Sequence, residues 1–259
     1  MILSRRVALN GQHLDELYGR IVIRSIEFKA PKDNIQTVNR MSGAGQRIAS
    51  HIYESLDVVV KWAMDVPKTD LIMRRQIYED VCRWAMQTGW LTINFVMGRR
   101  LWVDCTEFSD AGDLRNWTGE YIITFRAYSV PFWQDEIPYT ITKTSYSGGN
   151  ISLPVPGAFR TVVDLEFKNT SGSTLDSFSV AAGGNTISLT SLGCGNNSTL
   201  KIHHGNDGLL RIAVDSTSKY DKRSSGSADD LYVNPGTAAV TITTERSGYL
   251  KLSVCGRYA

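Results

Sequence analysis

Apolar residues recur along this chain with two periods, and the change of period separates one helix from many strands. After Thr69, one set of apolar positions repeats every three or four residues, the period of an amphipathic helix. Its members are Leu71, Tyr78, Val81, Cys82 and Ala85. Thr69 or Asp70 can cap the first amide groups, and Gly89 can end the helix in a left-handed conformation. The pattern predicts a helix between these two points.

The charged positions of this helix fall mostly on the other side. Arg74, Arg75, Glu79 and Arg83 form the predicted wetter face. Since strands follow immediately, the apolar face is expected to pack on them.

The rest of the first half favours strands. The runs are Ile21–Phe28, Leu56–Met64, Trp90–Val96, Leu101–Phe108 and Glu120–Tyr128. The continuous apolar centre of Leu56–Met64 indicates burial on both faces. Met97-Gly98-Arg99 is a hairpin signal between two of the runs. Val38–Ala49 is expected to be a loop around Gly43 and Gly45.

The second half predicts short strands separated by turn residues. They are Thr161–Lys168, Leu175–Val180, Thr186–Leu189, Thr199–His203, Leu209–Val214, Ala239–Thr244 and Leu250–Val254. Strands of this length and spacing are typical of a β-sandwich or a barrel.

Composition divides the chain in the same place. All six tryptophans precede residue 134, whereas 14 of the 22 glycines follow residue 139. The polar stretch 139–152 indicates a linker or a linker-like strand. We therefore expect a mainly β protein with one α-helix, divided into domains 1–139 and 140–259.

Charge, cysteines and hydropathy exclude several classes of protein. The formal net charge of +2 gives no global field for nucleic acid. The four cysteines are far apart and form no Cys-x-x-Cys pair, so free core thiols are expected. The longest apolar runs fall short of the roughly 18–20 residues of a membrane helix. The first ten residues do not form a signal peptide, which predicts synthesis in a cytoplasm and no membrane insertion.

Candidate chemistry is sparse. His203 and His204 are adjacent, and neighbours on a strand point to opposite faces, which argues against a shared metal. The acidic pairs at 15–16, 135–136 and 229–230 are typical of solvated turns rather than of catalytic carboxylates. The sequence lacks a Gly-x-Ser-x-Gly elbow, a phosphate-binding loop and a dinucleotide fingerprint. We expect no catalytic residues, no cofactor and no metal.

Two sets of surface residues are left as binding candidates. The arginine pairs 74–75 and 99–100 suit contact with DNA or an acidic partner, although the balanced charge favours solvated surface. Tyr220, Tyr232 and Tyr249 could stack on sugars if they are exposed.

Several landmarks together resemble the distal tail protein family of long-tailed, non-contractile bacteriophages (siphophages). In the first half they are the helix with Trp84, Gly89-Trp90-Leu91, the Arg99-Arg100 hairpin, Leu101–Phe108, Trp117, Phe125-Arg126-Ala127 and Pro131-Phe132-Trp133. In the second half the landmark is the turn Leu231-Tyr232-Val233-Asn234-Pro235-Gly236. The resemblance covers nearly the whole chain.

The resemblance implies a fold and a structural role in the virion. The first domain would be a tail-tube-like split β-barrel or sandwich packed with a helix, and the second a galectin-like β-sandwich. Six first domains would form a ring at the distal end of the tail. The ring would join the tail tube protein to the tail-tip hub and to receptor-binding or baseplate proteins, and DNA would cross its lumen only in transit. Candidate interface or lumen residues are Arg40, Arg47, Arg74, Arg75, Arg99 and Arg100.

Other functions stay open from the sequence. A carbohydrate-binding β-sandwich protein for host-surface adhesion is the main alternative, with Tyr220, Tyr232 and Tyr249 as its candidate stacking residues. A hydrolase lacks a plausible carboxylate pair. A tail tube protein would need only the first domain.

Overall fold

The chain folds into two compact units, Met1–Trp133 (unit 1) and Gln134–Tyr258 (unit 2). The computed structural model describes residues 5–28, 31, 33–39, 46–67, 69–109 and 120–259. None of the helices formed by these residues is long and apolar enough to cross a membrane.

Unit 1 consists of strands with two helices among its described residues. Its strands are β1 (Val7–Leu9), β2 (Gln12–His13), β3 (Ile21–Phe28), β4 (Asp33–Asn39), β5 (Gln46–Tyr53), β6 (Leu56–Met64), β7 (Gly89–Ile93), β8 (Arg99–Phe108), β9 (Tyr121–Ala127) and the start of β10 (Trp133–Asp135). The helices are α1 (Leu14–Leu17) and α2 (Leu71–Ala85). Seven strands lie side by side in one sheet, in the order β2-β1-β7-β8-β9-β6-β3, and β10 pairs with β8 outside this order.

Aromatic side chains hold α2 on this sheet. Trp84 packs edge-on against Phe125 of β9, with ring centroids 5.9 Å apart. Tyr78 packs edge-on against Phe108 of β8 at 5.2 Å. The indole nitrogen of Trp84 also donates to the Gln12 carbonyl of β2 at 3.0 Å. The expected packing of the helix on the strands that follow it is confirmed.

The start of α2 is as predicted, but its end is not. Asp70 caps the helix, because its carboxylate accepts from the Met73 amide at 3.1 Å. The helix ends at Ala85 with Met86 as its C-cap, whose amide bonds back to the Cys82 carbonyl. Gly89 is instead the first residue of β7, so the prediction of a left-handed cap was wrong.

Three other features of unit 1 differ from the prediction. The expected burial of Leu56–Met64 on both faces was wrong, because only alternate residues of β6 are buried. The stretch from Val38 to Ala49, expected as a loop, includes parts of β4 and β5, which pair antiparallel from Asp33↔Tyr53 to Asn39↔Gln46. Gly43 and Gly45 lie outside the described residues. The second helix, α1, has only four residues, which is too short to show a helical period in sequence.

Unit 2 is built from strands, most of which lie in two antiparallel sheets. They are β11 (Tyr139–Tyr146), β12 (Gly149–Val155), β13 (Thr161–Asn169), β14 (Phe178–Ala182), β15 (Asn185–Leu189), β16 (Thr199–His204), β17 (Leu210–Val214), β18 (Thr217–Ser218), β19 (Tyr232–Val233), β20 (Gly236–Thr244), β21 (Gly248–Val254) and β22 (Arg257–Tyr258). One sheet has the order β11-β21-β13-β16-β17-β18, and the other β12-β20-β14-β15. A short 3-10 helix, Tyr220–Lys222, follows β18.

The core of unit 2 is mostly aliphatic. Alternate residues of β13 are buried, from Thr161 through Phe167, and the residues between them lie at least partly in water. Phe167 and Phe178 from the two sheets meet with ring centroids 5.3 Å apart. The alternating pattern of the sequence thus identified the buried face, and the mainly β, antiparallel fold is confirmed.

Two glycines determine a hairpin in unit 2. Gly183 and Gly184 have φ values of +58° and +85°, and they connect β14 to β15 between the paired residues Ala182 and Asn185. Positive φ at both central positions is the geometry of the tight hairpin turns that favour glycine. The stretch 139–152, where the composition changes, supplies β11 and the first half of β12.

Candidate functional site

Arg74 and Arg75 are neighbours on α2 but have different environments. Arg74 is only 2% exposed, so its assignment to the wetter face of the helix was wrong. It takes the buried position one turn before Ile77, within the stripe that continues through Val81 and Trp84. Arg75 is exposed and its Nε donates to the Glu79 carboxylate at 2.7 Å. Of the two, only Arg75 is available at a surface.

Arg99 and Arg100 lie in the hairpin of β7 and β8, as predicted. The turn at Gly98 has a φ of +69°, and the Arg99 amide donates to the Val96 carbonyl at 3.4 Å. The Arg100 guanidinium carbon lies 4.0 Å from the centroid of the Trp90 ring, a cation–π contact.

A half-buried tryptophan pair forms the outer side of this hairpin. Trp90 and Trp102 are directly opposite in the β7–β8 register, and their rings meet edge to face at 5.1 Å. The next residues on each strand, Leu91 and Leu101, are fully buried beneath them. We call the set Trp90, Arg100 and Trp102 the tryptophan face. It combines the two residue types most enriched in energetically important protein contacts.

Some of the residues selected from the sequence lie outside the described part of the chain. Arg40 and Trp117 lie outside the described residues, and of Arg47 only the backbone, in β5, is described. The structure therefore brings together Arg99 and Arg100 of the six candidates, and it places Arg75 elsewhere, on α2.

The three candidate tyrosines of unit 2 do not form one site. Tyr220 is 45% exposed and begins the 3-10 helix. Tyr232 is half-buried in β19 under the guanidinium of Arg160, at 4.6 Å, and burial raises the pKa of its phenol. Tyr249 is 38% exposed on β21, opposite Lys168 of β13.

Of these three, Tyr220 lines a groove of about 760 Å³ on the outer side of β16, β17 and β18. We call it the tyrosine groove and define it by six of the residues that line it: His203, Leu209, Arg211, Tyr220, Asp229 and Asp230. They come from two strands, the turn between them, the 3-10 helix and the loop before β19. Only Tyr220 had been selected for binding from the sequence, because the fold and not the local pattern assembles the others.

His203 and His204 have different environments at the end of β16. His203 lines the tyrosine groove, whereas the side chain of His204 is only 6% exposed. The two ring nitrogens of His204 lie 2.9 Å from an Asp164 oxygen and 3.0 Å from an Asp230 oxygen. This network fixes Asp230 at the groove wall. Among the residues whose placement is described, no group of three His, Cys, Asp or Glu side chains is arranged to hold a metal ion.

The acidic pairs are more ordered than the predicted solvated turns. Asp15 accepts from Arg6 at 2.9 Å, and Glu16 also pairs with that arginine. Asp135 accepts from the Gly256 amide at 2.9 Å. Asp229 agrees with the prediction, since its side chain is 89% exposed, although it pairs with Arg223 at 3.0 Å.

All four cysteines lie in the described part of the chain, and none forms a disulfide. Cys194 is fully buried in the core of unit 2, and burial raises the pKa of its thiol to about 11. Cys82, Cys105 and Cys255 are half-buried. The expectation of free thiols is confirmed, and that of burial holds fully for Cys194 alone.

Comparison with known proteins gives matches in structure but none in sequence. No family model and no curated protein matches the chain. The SPP1 Dit (gp 19.1) protein, described as a paradigm of the hub adsorption apparatus in phages that infect Gram-positive bacteria, is similar over 98% of this chain and 99% of its own, with a TM-score of 0.67 and 10% identity.

A second protein matches in two structures. Chains of the phage P2 baseplate in its activated conformation are similar at 7% identity, with TM-scores of 0.56 for the calcium form and 0.52 for the strontium form. They cover 98% and 97% of this chain, and the same shares of their own lengths. The resemblance inferred from the sequence is therefore confirmed at the level of the fold: the chain has a mainly β fold similar to that of the SPP1 Dit hub protein over nearly its whole length.

Proposed function

We propose that this chain is a structural protein of a phage tail, a distal tail protein that forms the hub between the tail tube and the tail tip or baseplate. The observation that carries the proposal is the similarity to the SPP1 Dit hub protein over nearly the full length of both chains. A match that includes both units supports the hub role over that of a tail tube protein, which would need only the first.

In this proposal, unit 1 is the tail-tube-like domain that forms a six-membered ring, and unit 2 is a galectin-like sandwich. A cyclic ring requires that two different surfaces of one subunit meet head to tail. Among the described residues, β2 and β3 are the terminal strands of the seven-strand order of unit 1, and they supply two sheet edges for such a contact. Unpaired edge strands are ready to pair with another chain.

The tryptophan face is the proposed centre of one interface. Large aromatic residues and arginine dominate the binding energy of protein contacts, especially where neighbouring groups exclude water. Trp90 and Trp102 are held by each other and by Arg100, so little side-chain freedom is lost when a partner covers them. Arg75 and Arg99 remain candidates for the interface or the lumen, and Arg74 is withdrawn because it is buried.

The proposed ring contacts other tail proteins on both of its sides. It would contact the tail tube protein on one side and tail-tip, receptor-binding or baseplate proteins on the other, at the distal end of the virion tail. DNA would cross the lumen only at ejection. The small formal net charge of +2 is compatible with such passage, since strong phosphate contacts would slow it. The role requires no catalysis.

A pair of arginine substitutions tests the interface. We expect Arg100→Glu to shift the ring toward single chains in light scattering, because it removes the cation–π contact and places a negative charge beside Trp90. Arg83→Glu is the matched control, since Arg83 is exposed on α2 of the same unit. Equal ring stability in the two variants would remove the tryptophan face from the interface.

A further inference from the structure

We propose that the tyrosine groove of unit 2 is a binding site for a neutral saccharide. Tyr220 would provide the surface on which a sugar ring stacks, and Arg211, Asp229 and Asp230 would bond to its hydroxyl groups. This is a binding activity in addition to the hub role, and it does not depend on the ring.

Tyr220 is held in position before any ligand arrives. The guanidinium carbon of Arg223 lies 4.8 Å from the centroid of the tyrosine ring, and an Arg223 nitrogen donates to the phenol oxygen. Arg223 is held in turn by the Ser227 carbonyl at 3.0 Å and the Ala228 carbonyl at 2.7 Å. The tyrosine still exposes 45% of its surface. A fixed and exposed aromatic ring binds with little loss of conformational entropy.

The polar groups around Tyr220 are fixed in the same way. Arg211 donates to the Asp207 carboxylate at 2.6 Å across the turn between β16 and β17. Asp230 is held by the buried ring of His204. Carboxylates accept, and a guanidinium donates through up to five N–H groups, so both kinds of bond remain available to a polyol. The groove thus joins an apolar platform to donors and acceptors, the combination typical of small-ligand sites.

The charges of the groove favour a neutral ligand. Its charged lining consists of one arginine, Arg211, and two aspartates, Asp229 and Asp230, a formal balance of one negative charge. The residues that support the lining, Asp207 and Arg223, cancel each other. An anionic sugar or a phosphate would meet repulsion from this balance, whereas the hydroxyl groups of a neutral pyranose would not.

Tyr249 provides a matched control. It lies in the same unit with a similar exposure of 38%, but it is not part of the groove lining and no described arginine is stacked on it. Tyr220→Ala and Tyr249→Ala therefore remove the same side chain from inside and from outside the proposed site.

Binding should be measured on the full chain by saturation-transfer NMR and titration calorimetry. The probes are glucose, galactose, N-acetylglucosamine and their short oligosaccharides, with glucuronate as the anionic comparator. We expect at least one neutral probe to bind and glucuronate to bind more weakly. Tyr220→Ala should weaken the affinity about tenfold, and Tyr249→Ala should leave it within about twofold.

Three results would overturn the proposal: no neutral probe binds, glucuronate binds best, or the two alanine variants lose affinity equally. Circular dichroism verifies that Tyr220→Ala is folded, and Tyr220→Leu replaces it if it is not. Light scattering on the same samples keeps this test separate from the hub role. An intact ring without sugar binding contradicts only the saccharide site, and binding by single chains contradicts only the ring.

Discussion

Unit 1 and unit 2 are both mainly β, but they use aromatic residues differently. In unit 1 large aromatic side chains are part of the buried core and hold the helix, as in the stacked pair of Trp62 and Tyr121, whose centroids are 4.7 Å apart. In unit 2 the buried core contains two aromatic residues, Phe167 and Phe178, among mostly aliphatic side chains. The tyrosines of unit 2 lie at or near its surface, where arginines fix two of them.

The difference indicates two routes to a binding surface. In unit 1, a half-buried tryptophan pair continues the core outward and suits a large protein partner. In unit 2, a separate layer of ion pairs and hydrogen bonds holds polar side chains around one exposed ring and suits a small polar ligand.

The largest expected effect tests the aromatic core of unit 1. Trp62→Ala should lower the free energy of unfolding of unit 1 by about 3–5 kcal/mol, because it leaves a large cavity beside Tyr121. Urea denaturation followed by tryptophan fluorescence measures it, since all six tryptophans precede residue 134. Trp102→Ala, at a half-buried position, is the control and should cost less. Equal losses of unfolding free energy in the two variants would mean that the buried aromatic residues do not stabilise unit 1 more than half-buried ones.

The next effect tests whether buried polar groups organise unit 2. Asn169 is fully buried, and its amide nitrogen reaches the carbonyls of Ser173 at 2.7 Å and of Cys194 at 2.9 Å. Asn169→Ala would leave these carbonyls without their donor, and we expect a loss of about 3 kcal/mol. Hydrogen exchange followed by mass spectrometry measures the stability of unit 2 separately from that of unit 1. Asn150→Ala, at an exposed pair with Thr241, should change stability by less than about 0.5 kcal/mol.

A smaller effect is expected at the helix of unit 1. Asp70→Ala removes the cap of α2 and should cost about 1 kcal/mol. The fluorescence-detected urea transition measures this loss. Asp65→Ala, at an exposed position shortly before the helix, keeps the cap and should show little change. If Asp65→Ala lowered the free energy of unfolding as much as Asp70→Ala, the assignment of Asp70 as the helix cap would be contradicted.

The last effect, which is absent at neutral pH, is a pH dependence in unit 2. The pKa of the Cys194 thiol is raised from 9.0 to about 11 by burial. The unfolded chain thus releases this proton at lower pH than the folded chain, and stability falls as pH rises between these values. Hydrogen exchange across that range should show a shallower fall in Cys194→Ala than in the native protein. Cys255→Ala should show the same fall of stability with pH as the native protein. If Cys194→Ala also showed the native fall, the Cys194 thiol would not be its cause.

The sequence predicted elements well where one face is buried. The seven strands predicted after residue 160 all overlap strands of the structure, because alternation reports the inner face of a sandwich. The helix was predicted for the same reason. One error in the helix prediction was the placement of Arg74 on the wetter face. It arose because a long arginine can take a buried position that no periodicity of apolar residues shows.

Features made by contacts between distant residues were not predictable. The β4–β5 hairpin is polar and its predicted loop contains glycines, so the local signal favours a loop. The tyrosine groove joins positions from His203 to Asp230, and the role of Asp230 depends on His204, which is adjacent only through the fold. The pairing of Trp90 with Trp102 follows from register, which the Gly98 turn signal could have given.

The central claim is that unit 1 closes into the ring of a tail hub. Light scattering of the purified full chain over a range of concentrations, with negative-stain images of the same samples, tests it most directly. The account predicts a mass of six chains and rings with a central hole. The mass of a single chain at every concentration, with no rings in the images, would contradict it.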